Sequence, residues 1–493
     1  MRVTETVILL IYLVVVTGIG IYFYRRARSS ESDYFTAGNS INTFVGAFAI
    51  FAATASASSL MGAVGSGVSL GFPFYFAYAF GAVALLPFAI FLIAGQLRRS
   101  GVRTVPHFFR QRFGTSVQLA AAIIVLASMT FYMVPQLTAS GLIGSYVLGI
   151  EYGTAVIVLG LGFTLYAALG GMWAISYTDL LQGIIMVTGV AILAIAILIS
   201  HGGLGQVLSD ALAVDPAFAE VTQPWMSYFG LFVAFLWFGI ISPSVVMRNF
   251  ASRSAFVARR SSMWGAFIYL TIFLCGAVIA MGGTSLNRIG ELDNADLIFV
   301  LALEEYLPAI LAGFILAGLL AAIMSSADAM LLAISAAVAH DIYKGMINPR
   351  AQERVVTGLG LVVMFVAISV GIYFALDPPG LIAVMVGWVG GFLLSAFGFP
   401  IVLGLWWEKA TTAGALTGML GGAATFVIII VGGWLPTNAE PIIAAPVCLV
   451  LMIVVSLFTG PPTQRQQELV ELYQGSDEIP PDEILVEDTA ATS

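Results

Sequence analysis

The chain has 493 residues, 60% of them hydrophobic and 9% charged, with a mean hydropathy of +1.00. A soluble domain carries about 25% charged residues to keep its surface wet, so a string of soluble domains is excluded. The formal net charge is −8, and residues 461–493, with eight acids against Arg465, supply −7 of it.

Apolar runs of 18–30 residues, each long enough for a ~30 Å hydrocarbon core, recur along the chain. In order they predict about thirteen membrane-spanning helices: 6–24, 42–66, 71–95, 117–148, 154–170, 180–200, 225–246, 263–283, 308–339, 355–375, 380–405, 411–433 and 441–459. Only helices satisfy every backbone group over such lengths, whereas barrel strands alternate over about ten residues. The expected fold class is an all-α integral membrane protein. The first run leads into Arg25, Arg26 and Arg28 without a small-residue cleavage site, so it reads as a retained span. Cys275 and Cys448 lie inside apolar runs and are too few for a disulfide framework. Residues 461–493 open on Pro461-Pro462 and read as an acidic cytoplasmic tail without fixed structure.

Placing the N-terminus outside and the C-terminus in the cytoplasm puts 17 of the 19 basic residues in inner loops or the tail, leaving only Arg2 and Arg288 outside. A miscounted helix scatters such charges, so the odd count and the orientation support each other. The outer loops are then acidic, with Asp210, Asp215 and Glu220 in one and Glu291, Asp293, Asp296, Glu304 and Glu305 in another. The expected location is the cell (plasma) membrane, and no nucleic-acid partner is expected.

Polar residues and helix breakers are costly in a bilayer and so mark candidate sites. The second span combines Thr54, Ser56, Ser58 and Ser59 with Gly62, Gly65 and Gly67. That mixture fits a helix broken at mid-membrane, whose freed carbonyls coordinate a cation. It equally fits a small-residue packing face. In the ninth span Ala322, Ser325 and Ser326 stand at i, i+3 and i+4 and share one face. Two hydroxyls and a freed carbonyl suit a small hard cation, although such serines also bond back to their own helix. Asp328 is the carboxylate well inside a span. Gly67-Val-Ser69-Leu-Gly71 matches a nucleophile-elbow pattern but lies at a transmembrane helix end, and His107, His201 and His340 fall in or beside different loops. Without a convergent catalytic set or a phosphate-cradling loop, neither an enzyme nor an ATP-driven pump is expected.

Three segments carry a resemblance. Ser32-Asp33-Tyr34-Phe35-Thr36-Ala37-Gly38, then Tyr166-Ala-Ala-Leu-Gly170-Gly171-Met172-Trp173-Ala174 followed by Thr178-Asp179-Leu-Leu-Gln182, and then Ala322 to Ser326 resemble motifs of the sodium:solute symporter family. They run in family order from residue 32 to about 343, departing at Asn39, where the family commonly has Arg. The resemblance implies a LeuT-type core of inverted five-helix repeats, 42–200 and 225–405, preceded by 1–41 and followed by helices in 406–460 and the tail 461–493. Trp237, Gly239 and Pro243 then belong to the seventh span, the partner of the broken second. The resemblance implies a sodium site at the carbonyls of Ala52, Ala55 and Ala322 and the hydroxyls of Ser325 and Ser326. It places Asp179 by the inner sodium exit, and Ser56 and Ser59 in a solute cavity beneath Tyr75 and Tyr78.

The implied function is sodium-coupled import of a small organic solute, with sodium as coupling ion and no other cofactor. No Lys or Arg lies within a predicted span, so an anionic group must rest on helix N-termini, hydroxyls or the sodium itself. A short, acetate-like monocarboxylate leads, with an amino acid such as proline close behind; pantothenate or a sugar is the alternative within the class. A channel or a non-transporting sensor on the same fold is the alternative outside it.

Overall fold

The computed structural model describes residues 3–27, 31–56, 58–84, 90–288, 290, 292 and 294–475. The described residues are helical and contain one isolated bridge, Ile41 to Ser252. After α1 (Val3–Ala27), the side chain of Asn42 accepts the Val45 N–H at 3.0 Å and starts α2 (Thr43–Thr54). The helix ends because Ala55 turns extended, at φ −82°, ψ 107°. A wide turn at Ser58–Gly62 then leads into α3 (Ala63–Ser69), and the two halves are bent by 60°. The second span is therefore a broken helix.

The chain continues through α4 (Phe72–Ala84), α5 (Gly95–Arg99), α6 (Val105–Phe113) and α7 (Thr115–Leu148) to α8 (Tyr152–His201). α8 is kinked at Gly171, whose φ 52°, ψ −161° is open to glycine and strained for other residues. A Cβ there would lie 2.8 Å from both the ring and the carbonyl of Tyr34, so the Gly-Gly signature serves a close approach of two backbones. Beyond α9 (Leu204–Val214), a second broken helix forms from α10 (Trp225–Ile241) and α11 (Pro243–Ala251). Pro243 has no N–H and drives Ser242 out of the helical region, to ψ 125°.

α12 (Ala255–Ser285) and the short α13 (Ile298–Tyr306) lead to α14 (Ala309–Ser335), whose residues from Ile315 to Ser335 are all buried. This helix is the axis of the bundle, and it packs against α2, α7 and the second half of α8. α15 (Glu353–Ala375), α16 (Ile382–Leu393), α17 (Phe399–Trp406), α18 (Thr412–Gly432) and α19 (Pro441–Phe458) complete the membrane part. Among the described residues nine helices are long and apolar enough to cross a membrane, ten with the bent pair counted once. That number does not establish thirteen: the predicted spans 71–95 and 154–170 appear as shorter apolar helices, Phe72–Ala84 and Tyr152–Leu165.

The tail differs from expectation. Gln464–Gln474 forms a helix, α20, started by a capping box between Thr463 and Gln466. Leu469, Val470 and Tyr473 make its buried face; Arg99 donates to the Tyr473 carbonyl at 2.6 Å, and the Tyr473 hydroxyl donates to Gln111 at 2.8 Å. The acid count over 33 residues concealed this short amphipathic stretch. Residues 476–493 lie outside the described residues.

Candidate functional site

The break after α2 leaves its last carbonyls without helical partners, in the middle of the bundle. α14 presents two hydroxyls to them. Ser325 Oγ lies 3.1 Å from the Ala52 carbonyl and 3.0 Å from that of Ala322, and Ser326 Oγ lies 3.4 Å from the Ala52 carbonyl. Ala52, Ala55, Ala322, Ser325 and Ser326 are all 0% exposed. Four of the five candidate ligands thus converge on one point, and Ala55 is the extended residue at the break itself. Neutral oxygens in a dry site suit a small monovalent cation that must also leave again.

Asp179 lies in the second half of α8, fully buried. Arg248 of α11 donates to its Oδ2 from Nη2 at 2.7 Å and from Nε at 3.2 Å, and gives Nη1 to the Ser244 carbonyl at 2.8 Å. The expectation that no Arg lies within a span fails here, because the seventh span continues to Ala251 and carries Arg248 at 2% exposure. Nearby, Gln182 donates to the Tyr12 hydroxyl at 2.7 Å, tying α1 to the same region. Asp328 is fully buried, and neither of its oxygens has a hydrogen-bond partner among the described residues.

Ser59, in the wide turn, joins Tyr78 at 3.0 Å and Tyr269 at 2.8 Å, and the two phenols stand 3.3 Å apart. Phe235 covers this hydroxyl cluster, with its ring centre 4.0 Å from that of Tyr78. Tyr132 on α7 faces Ser56 and stacks edge-on against Phe238 at 5.2 Å. Tyr75 is elsewhere: its hydroxyl donates to the Phe273 carbonyl at 2.5 Å and its ring stacks on Phe273. Tyr75 and Tyr78 share one face of α4, and the turn between them sets Tyr75 against Phe273, one turn beyond Tyr269 on α12 and away from the break. A small cleft between the two broken helices and α12 is lined by Ile50, Thr54, Gly239, Asn249, Ser262 and Tyr269.

Sequence reasoning missed Tyr132, Phe235, Arg248 and Tyr269. It also missed Gln136, one turn from Tyr132, which is fully buried with neither amide atom partnered among the described residues. For Tyr132, Gln136 and Tyr269 the signal was the polar group itself inside an apolar run, and nothing local says which way it faces.

The model of the sodium:solute symporter family matches residues 34–422. The chain is 28% identical over 472 residues to the "High-affinity proline transporter PutP" of Bacillus subtilis (strain 168), covering 92% of this chain and 98% of the relative. It is 27% identical over 440 residues to the "Sodium/pantothenate symporter" of Haemophilus influenzae, covering 85% and 89%. The structure of a Na+-coupled sialic acid symporter, in a substrate-bound outward-open state, superposes with a TM-score of 0.78 at 20% identity, over 94% of this chain and 99% of that one. Two broken helices crossing a buried serine pair, and a family match over most of the length, make this chain a member of the sodium:solute symporter family, with its LeuT-type fold.

Proposed function

We propose that this transporter couples inward movement of sodium to uptake of a small zwitterion, with L-proline favoured over a short monocarboxylate. The observation that carries the coupling is the convergence of Ser325 and Ser326 on the Ala52 carbonyl at the break in α2. Sodium is the travelling ion, taken as substrate by the oxygens of Ala52, Ala55, Ala322, Ser325 and Ser326. Proline is favoured because relatives named for proline transport match over nearly the whole chain. The Ser59, Tyr78 and Tyr269 hydroxyls support this reading. They supply polar contacts without charge, which suits a solute whose own charges cancel, and Phe235 offers an apolar wall for a ring.

One sodium ion suffices energetically. Moving down about 100 mV releases ~2.3 kcal/mol, and a roughly tenfold gradient adds ~1.4 kcal/mol. Together they sustain an accumulation of several hundredfold. Purified protein in proteoliposomes should take up labelled proline when a sodium gradient is imposed, and should show counterflow at zero gradient. Acetate preferred over proline would reassign the solute. Uptake indifferent to sodium would overturn the coupling, and flux without counterflow would indicate a channel.

A further inference from the structure

At the end of the bundle that carries the acidic loops, three elements meet on one carboxylate. Asp296 lies in the single turn Ala295–Leu297 that enters α13, and it is 0% exposed. Its Oδ2 accepts the N–H of Ile382, the first residue of α16, at 3.1 Å. Its backbone is pressed against Gly65 of α3 so tightly that a Cβ on Gly65 would stand 2.6 Å from Oδ1, 2.7 Å from Cα and 2.8 Å from N. The Asn294 side chain accepts the Asp296 N–H at 2.8 Å and fixes the turn. Oδ1 has no partner among the described residues. A movement that parts α16 or α3 from the turn would expose Asp296 to water.

We infer that Asp296 is a positioning residue of the transport cycle, binding a proton when the acidic end closes and releasing it when that end opens. The inference rests on the symporter reading and on the acidic end facing outward. A buried carboxylate with one hydrogen bond and one orphaned oxygen is poorly solvated, and a proton on Oδ1 removes the charge while Oδ2 keeps its bond to Ile382. Burial accordingly pushes the carboxyl up to about 7, with the Ile382 N–H opposing in part. Among the described residues, the elements packed on Asp296 bring few charges to it. The turn Ser58–Gly62, α3 and α16 carry no titratable side chain, and α13 carries Glu304, Glu305 and Tyr306 at its far end, where Tyr146 donates to Glu304. Once wetted, Asp296 returns to the ordinary aspartate value near 3.9. Because the closed form holds the proton more tightly, closure is favoured in acid, weakens as pH rises from about 4 to about 7, and changes little above that.

The test follows labelling of Ile382→Cys by a membrane-impermeant maleimide added outside intact cells, in protein carrying Cys275→Ser and Cys448→Ala. Thiol chemistry itself quickens with pH, so each rate is divided by that of the same protein with Asp296→Asn, in which the amide oxygen keeps the Ile382 bond without a titratable charge. Between pH 5 and pH 8 the ratio should rise roughly tenfold to a hundredfold. A flat ratio overturns the inference. Should the Asn variant fail to fold, Gly65→Ala replaces it as the reference, since its methyl group forces the turn away and leaves the end open at every pH; a flat ratio there overturns the inference equally. Sodium-driven proline uptake by the unaltered protein at pH 7 reads the symporter proposal separately, and the labelling ratio does not depend on which solute is carried.

Discussion

Ser326 and Ser325 touch the candidate ion site through one atom each, so single-atom changes read it. Removing a hydroxyl from a dry site costs about 1–3 kcal/mol of ion affinity. Ser326→Ala should therefore raise the sodium concentration for half-maximal uptake roughly tenfold to a hundredfold. Solute affinity should fall only through coupling and recover at saturating sodium. Wild-type sodium dependence in the Ser325→Ala, Ser326→Ala double variant would assign both serines to packing. Asp179 and Arg248 call for a different experiment, because each is the other's counter-charge in a site with 0% and 2% exposure. Breaking such a pair leaves a lone buried charge and costs about 3–5 kcal/mol, whereas removing both ends can be nearly neutral. Asp179→Asn alone should lower the yield of folded protein, and adding Arg248→Gln should restore it, as judged by size-exclusion profiles. In the restored double variant, altered sodium dependence with unchanged solute selectivity would place the pair on the ion path, and the converse would place it on solute recognition.

At the scale of elements, the helix breaks decide where chemistry can occur, and each has a local cause. Pro243 breaks one helix outright. The run from Thr54 to Gly62 carries hydroxyls that can bond to the backbone locally in place of the helix ladder: Thr54 returns its Oγ1 to the Ile50 carbonyl at 2.7 Å. Gly171 is the third such point and the easiest to test. Gly171→Ala must adopt a strained backbone and also meet Tyr34, a cost of about 1–3 kcal/mol for the backbone alone. The thermal midpoint should drop by several degrees, and Tyr34→Ala should recover only the part due to the clash. An unchanged midpoint would mean that the turn between the two parts of α8 relaxes freely.

For the whole molecule the open question is which end faces the cytoplasm. We propose the arginine-rich end, on the 17-to-2 division of basic residues. An impermeant thiol reagent should reach Arg103→Cys only from the cytoplasmic side and Asp215→Cys only from outside. The reverse pattern would overturn the orientation and, with it, the direction in which the Asp296 proton is read.

Much of this protein was legible before any tertiary contact was known. Length of apolar run, placement of arginine and the i, i+3, i+4 spacing of Ala322, Ser325 and Ser326 are local properties, because the bilayer imposes a length and a helix imposes a period. The all-helical membrane class and one half of the candidate ion site follow from them. What remained undetermined was every relation between segments far apart in the chain. Whether the second span breaks or merely packs, that Ser325 meets Ala52, that Arg248 answers Asp179, that Tyr269 rather than Tyr75 closes on Ser59, and that α20 docks under α5 all depend on which helices lie side by side. Side-chain direction inside a uniformly apolar helix leaves no periodic trace, since every face is hydrophobic whether it meets lipid or protein. Only the folded bundle decides which polar group faces which, and in a low-dielectric interior that pairing is where the function lies.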